Sequence, residues 1–331
     1  MKLLTGWSRM TDVNSILNLT FGNREKLDLS VVLCTRNRLD EVIRFTKSLY
    51  NQIILPSQYV IVDSSDTPLI GNKLFVCIFN EMQNKIELHY IHSKPGLTKQ
   101  RNIGVKKSRG DITYFFDDDI ILEPEYLQIM DETFKNNPDY MGGMGALIGL
   151  SEQSYKGRIM NSFRRFFLLQ HDYGNGKFQK SGFPRHPYGT NQFREVEVLG
   201  GCCCCYRKEV LNEFKFDENL TGYCYMEDVD FSRKVSYKYK LFYNPEAKVE
   251  HRHSSGGQKN TTENRKMYML NHRYLFFKNF YSRNKLSVIP HWWSILGLII
   301  NSFIFESKEA QKGYIDGLKE FKKRKKEHLC N

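Results

Sequence analysis

Three aspartates in succession, Asp117-Asp118-Asp119, follow the apolar run Tyr114-Phe115-Phe116. Neighbouring carboxylates repel one another unless a cation relieves them, and oxygen ligands of this kind suit hard divalent ions such as Mg²⁺ or Mn²⁺. One acid would suffice to cap the helix that begins near Pro124, so three point beyond capping. A second acidic group, Glu227-Asp228-Val229-Asp230, opens a helical stretch; alone, Asp228 or Asp230 reads as an N-cap. His251 and His253 close a short strand, and one of them is a candidate third metal ligand beside the aspartates. Two more polar clusters, Thr35 to Arg38 and Asp63 to Asp66, end apolar runs.

The elements that position these groups follow from hydrophobic patterning. Leu29 to Cys34, Tyr59 to Val62, Ile86 to Ile91 and Ile112 to Phe116 read as buried strands. Asp40 to Tyr50, with Val42, Phe45 and Leu49 at helical spacing, and Leu97 to Lys107 read as helices. This alternation predicts an α/β fold with a mainly parallel sheet. In such a sheet ligands sit outside the carboxyl ends of the strands, where the three polar clusters fall. Further on, Met141 to Leu150, Val196 to Tyr206 and Lys248 to His251 read as strands, and Arg207 to Phe214 and Val229 to Tyr239 as helices. Tyr155 to Arg194 shows no period and reads as a long functional loop.

The 331 residues suffice for one large domain with an appendage, and 40% hydrophobic and 14% aromatic content excludes a disordered chain. Of the net charge of +12, nine units lie in residues 264–331, where fourteen Lys and Arg meet five Asp and Glu. Such a segment suits an anionic lipid surface or nucleic acid. Val288 to Phe305 is the most apolar window, and its options are an interfacial, core or spanning helix; Trp292 and Trp293 beside a basic tail favour the interface. Polar residues interrupt Met1 to Asn14, which leaves no apolar core for a signal peptide. Cys202 to Cys205 read as small buried side chains in a reducing cytosol, because the Cys-x-x-Cys pair has no second ligand pair at zinc spacing.

In their order these motifs resemble the family-2 glycosyltransferases. Ser30 to Arg38 is similar to that family's first strand and loop, with Cys34 where proline is common. Val60 to Asp66 resembles its second strand, Gly96-Leu97-Thr98-Lys99-Gln100-Arg101-Asn102 its Gly…Arg-Asn helix start, and Phe115 to Asp119 its Asp-x-Asp signature. Gly200-Gly201 resembles the acceptor-side strand, Glu227-Asp228 the Glu-Asp pair, and Val249-Glu250-His251 the metal-binding histidine segment. The resemblance spans about Leu29 to Gly257.

It implies a GT-A fold, Rossmann-like with helices flanking the sheet, and a C-terminal helical appendage. The expected division is an N-terminal extension over 1–27, a catalytic domain over 28–260 with 155–194 near the acceptor site, and a basic helical segment over 261–331. The implied activity is inverting transfer of a sugar, of hexosyltransferase type, from a UDP- or dTDP-linked donor to a glycan or lipid-linked acceptor. Asp228 would be the general base; Asp117, Asp119 and His251 would hold Mn²⁺ or Mg²⁺. Thr35, Arg38, Asp63, Arg101, Asp117 and Asp118 would bind the nucleotide, with Asp63 on the base, Asp117 or Asp118 on the ribose and Arg101 on the diphosphate. Tyr223, Tyr225 and the 155–194 loop would shape the acceptor site. The expected location is cytoplasmic, peripheral on the inner face of a membrane. Two rivals are a metal-dependent phosphoryl-transfer enzyme and an inactive glycan-binding module. The first predicts a P-loop or DNA-binding module, and the sequence shows neither, so no nucleic-acid partner is expected.

Overall fold

The computed structural model describes residues 27–149, 154–170, 174–221, 224–252 and 262–329, with side chains as far as 323. The readings of the N-terminal stretch, Tyr223 and His253 lie outside the described residues. Strands β1 (Leu29–Thr35), β2 (Gln58–Asp63), β3 (Glu87–His92) and β4 (Ile112–Phe116) run parallel in the order β3-β2-β1-β4. Register sets Thr35 opposite Asp63, Asp63 opposite His92, and Leu33 opposite Phe116, so the polar strand ends line up along one edge.

Three helices join these strands: α1 (Leu39–Tyr50), α2 (Lys73–Met82) and α3 (Leu97–Lys107). α1 buries Val42, Phe45 and Leu49 at the expected spacing, each side chain contributing about 1.5–3 kcal/mol. α3 is different, for its buried face is mostly polar: Thr98, Gln100, Arg101, Asn102 and Gly104. A Cβ at Gly104 would stand 2.3 Å from Val32 Cγ1, so α3 lies directly on β1. From there the Gln100 side-chain amide donates to the carbonyls of Thr35 (3.1 Å) and Val62 (2.8 Å), tying two strand ends together.

Beyond β4 the sheet becomes mixed. β8 (Cys203–Arg207) runs antiparallel to β4, and β6 (Tyr140–Ile148) antiparallel to β8. β9 (Lys240–His251) lies parallel to β6, and its two ends pair with β7 (Arg194–Val196) and β5 (Ile120–Leu122). β9 is far longer than its last four residues suggested. An irregularity that passes from Gly145–Asn244 to Ala146–Lys248 absorbs Pro245 and its neighbours, which conceal the strand in the sequence. The stretch 196–206 divides into β7 and β8 at the Gly200-Gly201 turn. The cysteine side chains of β8 fill the sheet interior, where burial raises the Cys203, Cys204 and Cys205 thiols.

α4 (Tyr126–Asn136), α6 (Lys208–Glu213) and α7 (Glu227–Ser236) cover the sheet. Within the expected loop, α5 (Tyr155–Phe166) is a helix, its Ser154 side chain accepting from Gly157 N–H. Three C-terminal helices complete the chain: α8 (Thr262–Phe276), continued by a π-helical turn at Phe277–Tyr281, α9 (Val288–Phe305) and α10 (Lys308–Leu329). They share apolar clusters with the rest of the molecule. Leu275 joins Val198, Leu220, Cys224, Met226 and Val229, whereas Met269, Ile295, Leu298 and Tyr314 join Phe167, Leu169 and Phe183.

Candidate active site

The carboxyl edge of β1, β2 and β4 forms the floor of a polar cleft. The peptide chain turns after Phe116, Asp117 N–H donating to Cys202 O (3.2 Å), and re-enters the sheet as β5. Ile120 pairs with His251, and Arg252 N–H donates to Asp119 O, which fixes Asp119 beside His251. His251 Nε2 lies 3.0 Å from Asp119 Oδ1. Burial lowers the His251 pKa, but the Asp119 carboxylate outweighs it and the net shift is upward. One ligand atom each from Asp117, Asp119 and His251 lies within 4.8 Å of the others. Two hard carboxylate oxygens and an imidazole nitrogen are a donor set that fits Mn²⁺ or Mg²⁺.

Asp118 points the other way. It accepts from Thr35 Oγ1 (2.7 Å) and Arg38 Nη1 (2.7 Å), so both its oxygens are engaged within the chain. Burial pushes its carboxyl up to about 6 against the pull of Arg38. Asp118 thus fixes the β1 loop through both of its oxygens. Asp63, fully buried, accepts from Ser65 N–H (2.7 Å), Leu69 N–H (2.9 Å) and Tyr90 Oη (2.5 Å). Burial alone would raise its pKa; these donors reverse the shift and hold it below the usual carboxylate value.

Arg101 is 2% exposed and bound within the protein. Nη2 donates to Gly201 O (3.0 Å) and stands 3.5 Å from Asp117 Oδ1, and Nη1 lies 3.0 Å from Glu227 Oε1. One buried cation therefore ties the end of β4, the Gly200-Gly201 turn and the start of α7 together. A Cβ at Gly201 would fall 3.0 Å from Arg101 Nη2 and 3.2 Å from Asp228 Cβ, so the turn is as close to both as glycine allows. Burial and the adjacent Asp228 raise the Glu227 pKa, and the Arg101 guanidinium 3.0 Å away opposes them.

Asp228 occupies the first turn of α7, reached through Met226 in the left-handed region (φ 73°). Its Oδ2 accepts from Gly201 N–H (2.8 Å) and its Oδ1 from Val229 N–H (2.8 Å), so the carboxylate is held at a fixed angle with an outer lone pair on each oxygen. Enclosure in the cleft raises Asp117, Arg101 opposes this, and Asp119 and Asp228 add to the rise. The proposed base and metal ligands therefore share one electrostatic environment.

Glu227, which the motif reading paired with Asp228, is the buried partner of Arg101. His186, stacked on Tyr188 at 5.5 Å, escaped that reading. Among the described residues its Nδ1 has no partner, and burial lowers its pKa while Asp228 raises it. Nothing in its sequence context separates it from other residues of the 155–194 stretch. Tyr225 faces the C-terminal helices, its ring 6.2 Å from Tyr268 and its carbonyl accepting from Asn271 Nδ2.

The glycosyl transferase family 2 model matches residues 30–214, more than half of the chain. A glucosyl-dolichyl phosphate glucuronosyltransferase of Haloferax volcanii is 26% identical over 130 residues, 37% of this chain and 39% of that protein. The uncharacterized glycosyltransferase YwdF of Bacillus subtilis is 22% identical over 147 residues, 44% of this chain and 52% of that protein. The chain thus matches about two-fifths to half the length of these curated relatives. Among solved structures, GalNAc-T7 with UDP, GalNAc and Mn²⁺ superposes with a TM-score of 0.58 at 14% identity, over 77% of this chain and 48% of that one. S. aureus TarS 1–349 gives 0.55 at 15% identity, over 89% and 80%. The fold is that of the GT-A glycosyltransferases, and the chain belongs to glycosyl transferase family 2.

Proposed function

We propose that the protein transfers a glycosyl group, with inversion, from a nucleoside-diphosphate sugar to a hydroxyl of a glycan or lipid-linked acceptor. The observation that carries this reading is Asp228, held by the Gly201 and Val229 N–H groups at the cleft whose floor bears Asp117, Asp119 and His251. The neighbours solved with UDP or UDP-GlcNAc favour a UDP-linked donor, and the relative named for glucosyl-dolichyl phosphate supports a lipid-linked acceptor. In this reading the enzyme works peripherally on the cytoplasmic face of a membrane.

Thr35, Arg38 and Asp63 frame the nucleoside end of the cleft, and Asp118 and Arg101 act behind them as positioning residues. Asp117, Asp119 and His251 would hold a divalent cation, which would supply positive charge to the diphosphate leaving group. Asp228 accepts the acceptor hydroxyl proton as the new C–O bond forms and the bond from the anomeric carbon to the β-phosphate oxygen breaks. An ionised aspartate is a weak base. It suffices where bond breaking runs ahead of attack, because the oxocarbenium-like transition state acidifies the hydroxyl. A single base opposite the leaving group needs no covalent intermediate, hence inversion.

The test is nucleoside-diphosphate release from a panel of UDP- and dTDP-sugars with Mn²⁺, Mg²⁺ or EDTA, for wild type and Asp228→Asn. Metal-dependent release from one donor, lost in the variant, supports the reading. If no donor is turned over and calorimetry finds no binding of UDP or dTDP with either metal, the reading fails.

A further inference from the structure

α9 is apolar outward as well as inward. It buries Ile295 and Leu298 together with the polar His291, Ser294, Asn301 and Ser302, whereas Ile289, Leu296, Phe303 and Ile304 are 68, 50, 59 and 58% exposed. A helix at a water-facing surface turns polar residues outward instead. The inward polar groups are bound to the protein: His291 Nδ1 lies 3.2 Å from Ser181 O, Asn301 Oδ1 accepts from Arg164 Nε, and Ser294 and Ser302 donate to carbonyls of their own helix. The apolar side is left facing outward.

Two indoles stand on that side in fixed poses. Trp292 rests on the Arg273 guanidinium at 4.4 Å, and Trp293 stacks on Phe167 at 4.7 Å while its N–H donates to Phe166 O. The apolar surface continues onto α5 through the exposed Phe166, whose ring is 5.3 Å from Trp293. Contiguous exposed apolar surface over two helices marks a partner. Charge identifies it. Exposed Arg283 and Lys285 precede α9, exposed Lys308 follows it, and Lys156 and Arg158 are exposed on α5. From 282 to 308 the one acid is Glu306, which is paired with Arg265.

We propose that this face is a docking surface for an anionic lipid bilayer. α9 lies in the headgroup plane, its outward residues enter the acyl boundary, and the cations at its ends meet lipid phosphates. Residues 285–305 are long and apolar enough to cross a membrane. Lipid on every side, however, is incompatible with burying His291 and Asn301 against α5 and the 181 segment. A second copy of the chain would bring together two sets of the cations Arg283, Lys285, Lys308, Lys156 and Arg158 against the exposed Glu309 of each copy. The inference rests on the membrane location proposed above and adds the face and orientation.

Flotation with phosphatidylcholine vesicles, with and without phosphatidylglycerol, tests it in a Trp7→Phe background that leaves Trp292 and Trp293 as the only indoles. Wild type is expected to bind the anionic vesicles about 10-fold or more tightly than the neutral ones. Brominated acyl chains should quench its fluorescence. Leu296→Glu/Ile304→Glu should weaken binding roughly 100-fold, and Arg283→Glu/Lys285→Glu should remove the preference for anionic lipid. Wild type that fails to bind, double variants that bind unchanged, or a dimer dissolved by Leu296→Glu/Ile304→Glu would each overturn the proposal. Donor hydrolysis in vesicle-free solution, read on the same samples, keeps the two readings apart. Binding without turnover in any sample counts against the glycosyl-transfer reading alone; turnover without binding counts against docking alone.

Discussion

The cleft floor and the C-terminal helical layer both bury polar side chains, and they do so in opposite ways. In the cleft, buried charge meets opposite charge: Arg101 with Glu227 and Asp117, Arg38 with Asp118. Three further donors converge at Asp117, Asp119 and His251. In the helical layer the buried imidazoles are neutral and stacked on rings, His272 on Phe183 at 3.8 Å and His291 on Phe276 at 3.6 Å. Burial holds the His272 pKa well below its ordinary value and that of His291 at about 3. One region concentrates charge for an ionic ligand. The other keeps its imidazoles neutral, seats the buried Arg273 on the rings of Phe277, Trp292 and Phe321, and turns apolar surface outward.

Asp228→Asn should produce the largest change, lowering turnover by about 10³-fold while leaving donor binding by calorimetry unaltered; an active variant would remove the base from the cleft. Next comes Arg101→Met, which strands Glu227 and Asp117 and should cost about 3–5 kcal/mol in urea unfolding. A smaller loss would mean that the buried pair contributes less than its position implies. His251→Ala should raise the Mn²⁺ concentration needed for half-maximal activity roughly 10–100-fold, without the stability loss of the arginine variant.

The helical layer has its own signature. Because the folded-state pKa of His291 is depressed, the unfolded chain binds more protons between pH 6.5 and about 3. Its contribution is therefore present above pH 6.5 and is lost as pH falls through that window. The loss should reach about 1.4 kcal/mol per pH unit for each such imidazole. Thermal melts of wild type and His291→Phe should diverge as pH falls; parallel curves would mean that His291 is protonated in the fold. Leu296→Glu should change stability least, by about 0.5 kcal/mol or less, since its side chain already faces outward.

These regions also differ in how far their sequences foretold them. β1, β2 and β4 are unbroken apolar runs ended by polar residues, so both strands and site edge were legible. α5 was not: Tyr155, Ile159, Met160, Phe163 and Phe166 recur at helical spacing, but none of its residues is buried, and the basic residues and glycines around it hide that stripe. β9 was obscured by Pro245 inside its irregularity. In the cleft, the motif located Asp117, Asp119 and His251 together, yet gave no sign that Asp118 turns toward Arg38 or that Arg101 is sealed beneath Gly201. Those outcomes depend on neighbours 80 to 126 residues away in the chain.

The contact between α8 and the α7 approach has a practical consequence for chimeras. Asn271 holds the Tyr225 carbonyl three residues before Asp228, and Leu275 lies under Met226 and Val229. A graft that exchanges the C-terminal fifth at residue 261 would cut through the footing of the base loop. A workable seam must carry α8 with the donor half and begin the exchange after the π-helical turn at Tyr281.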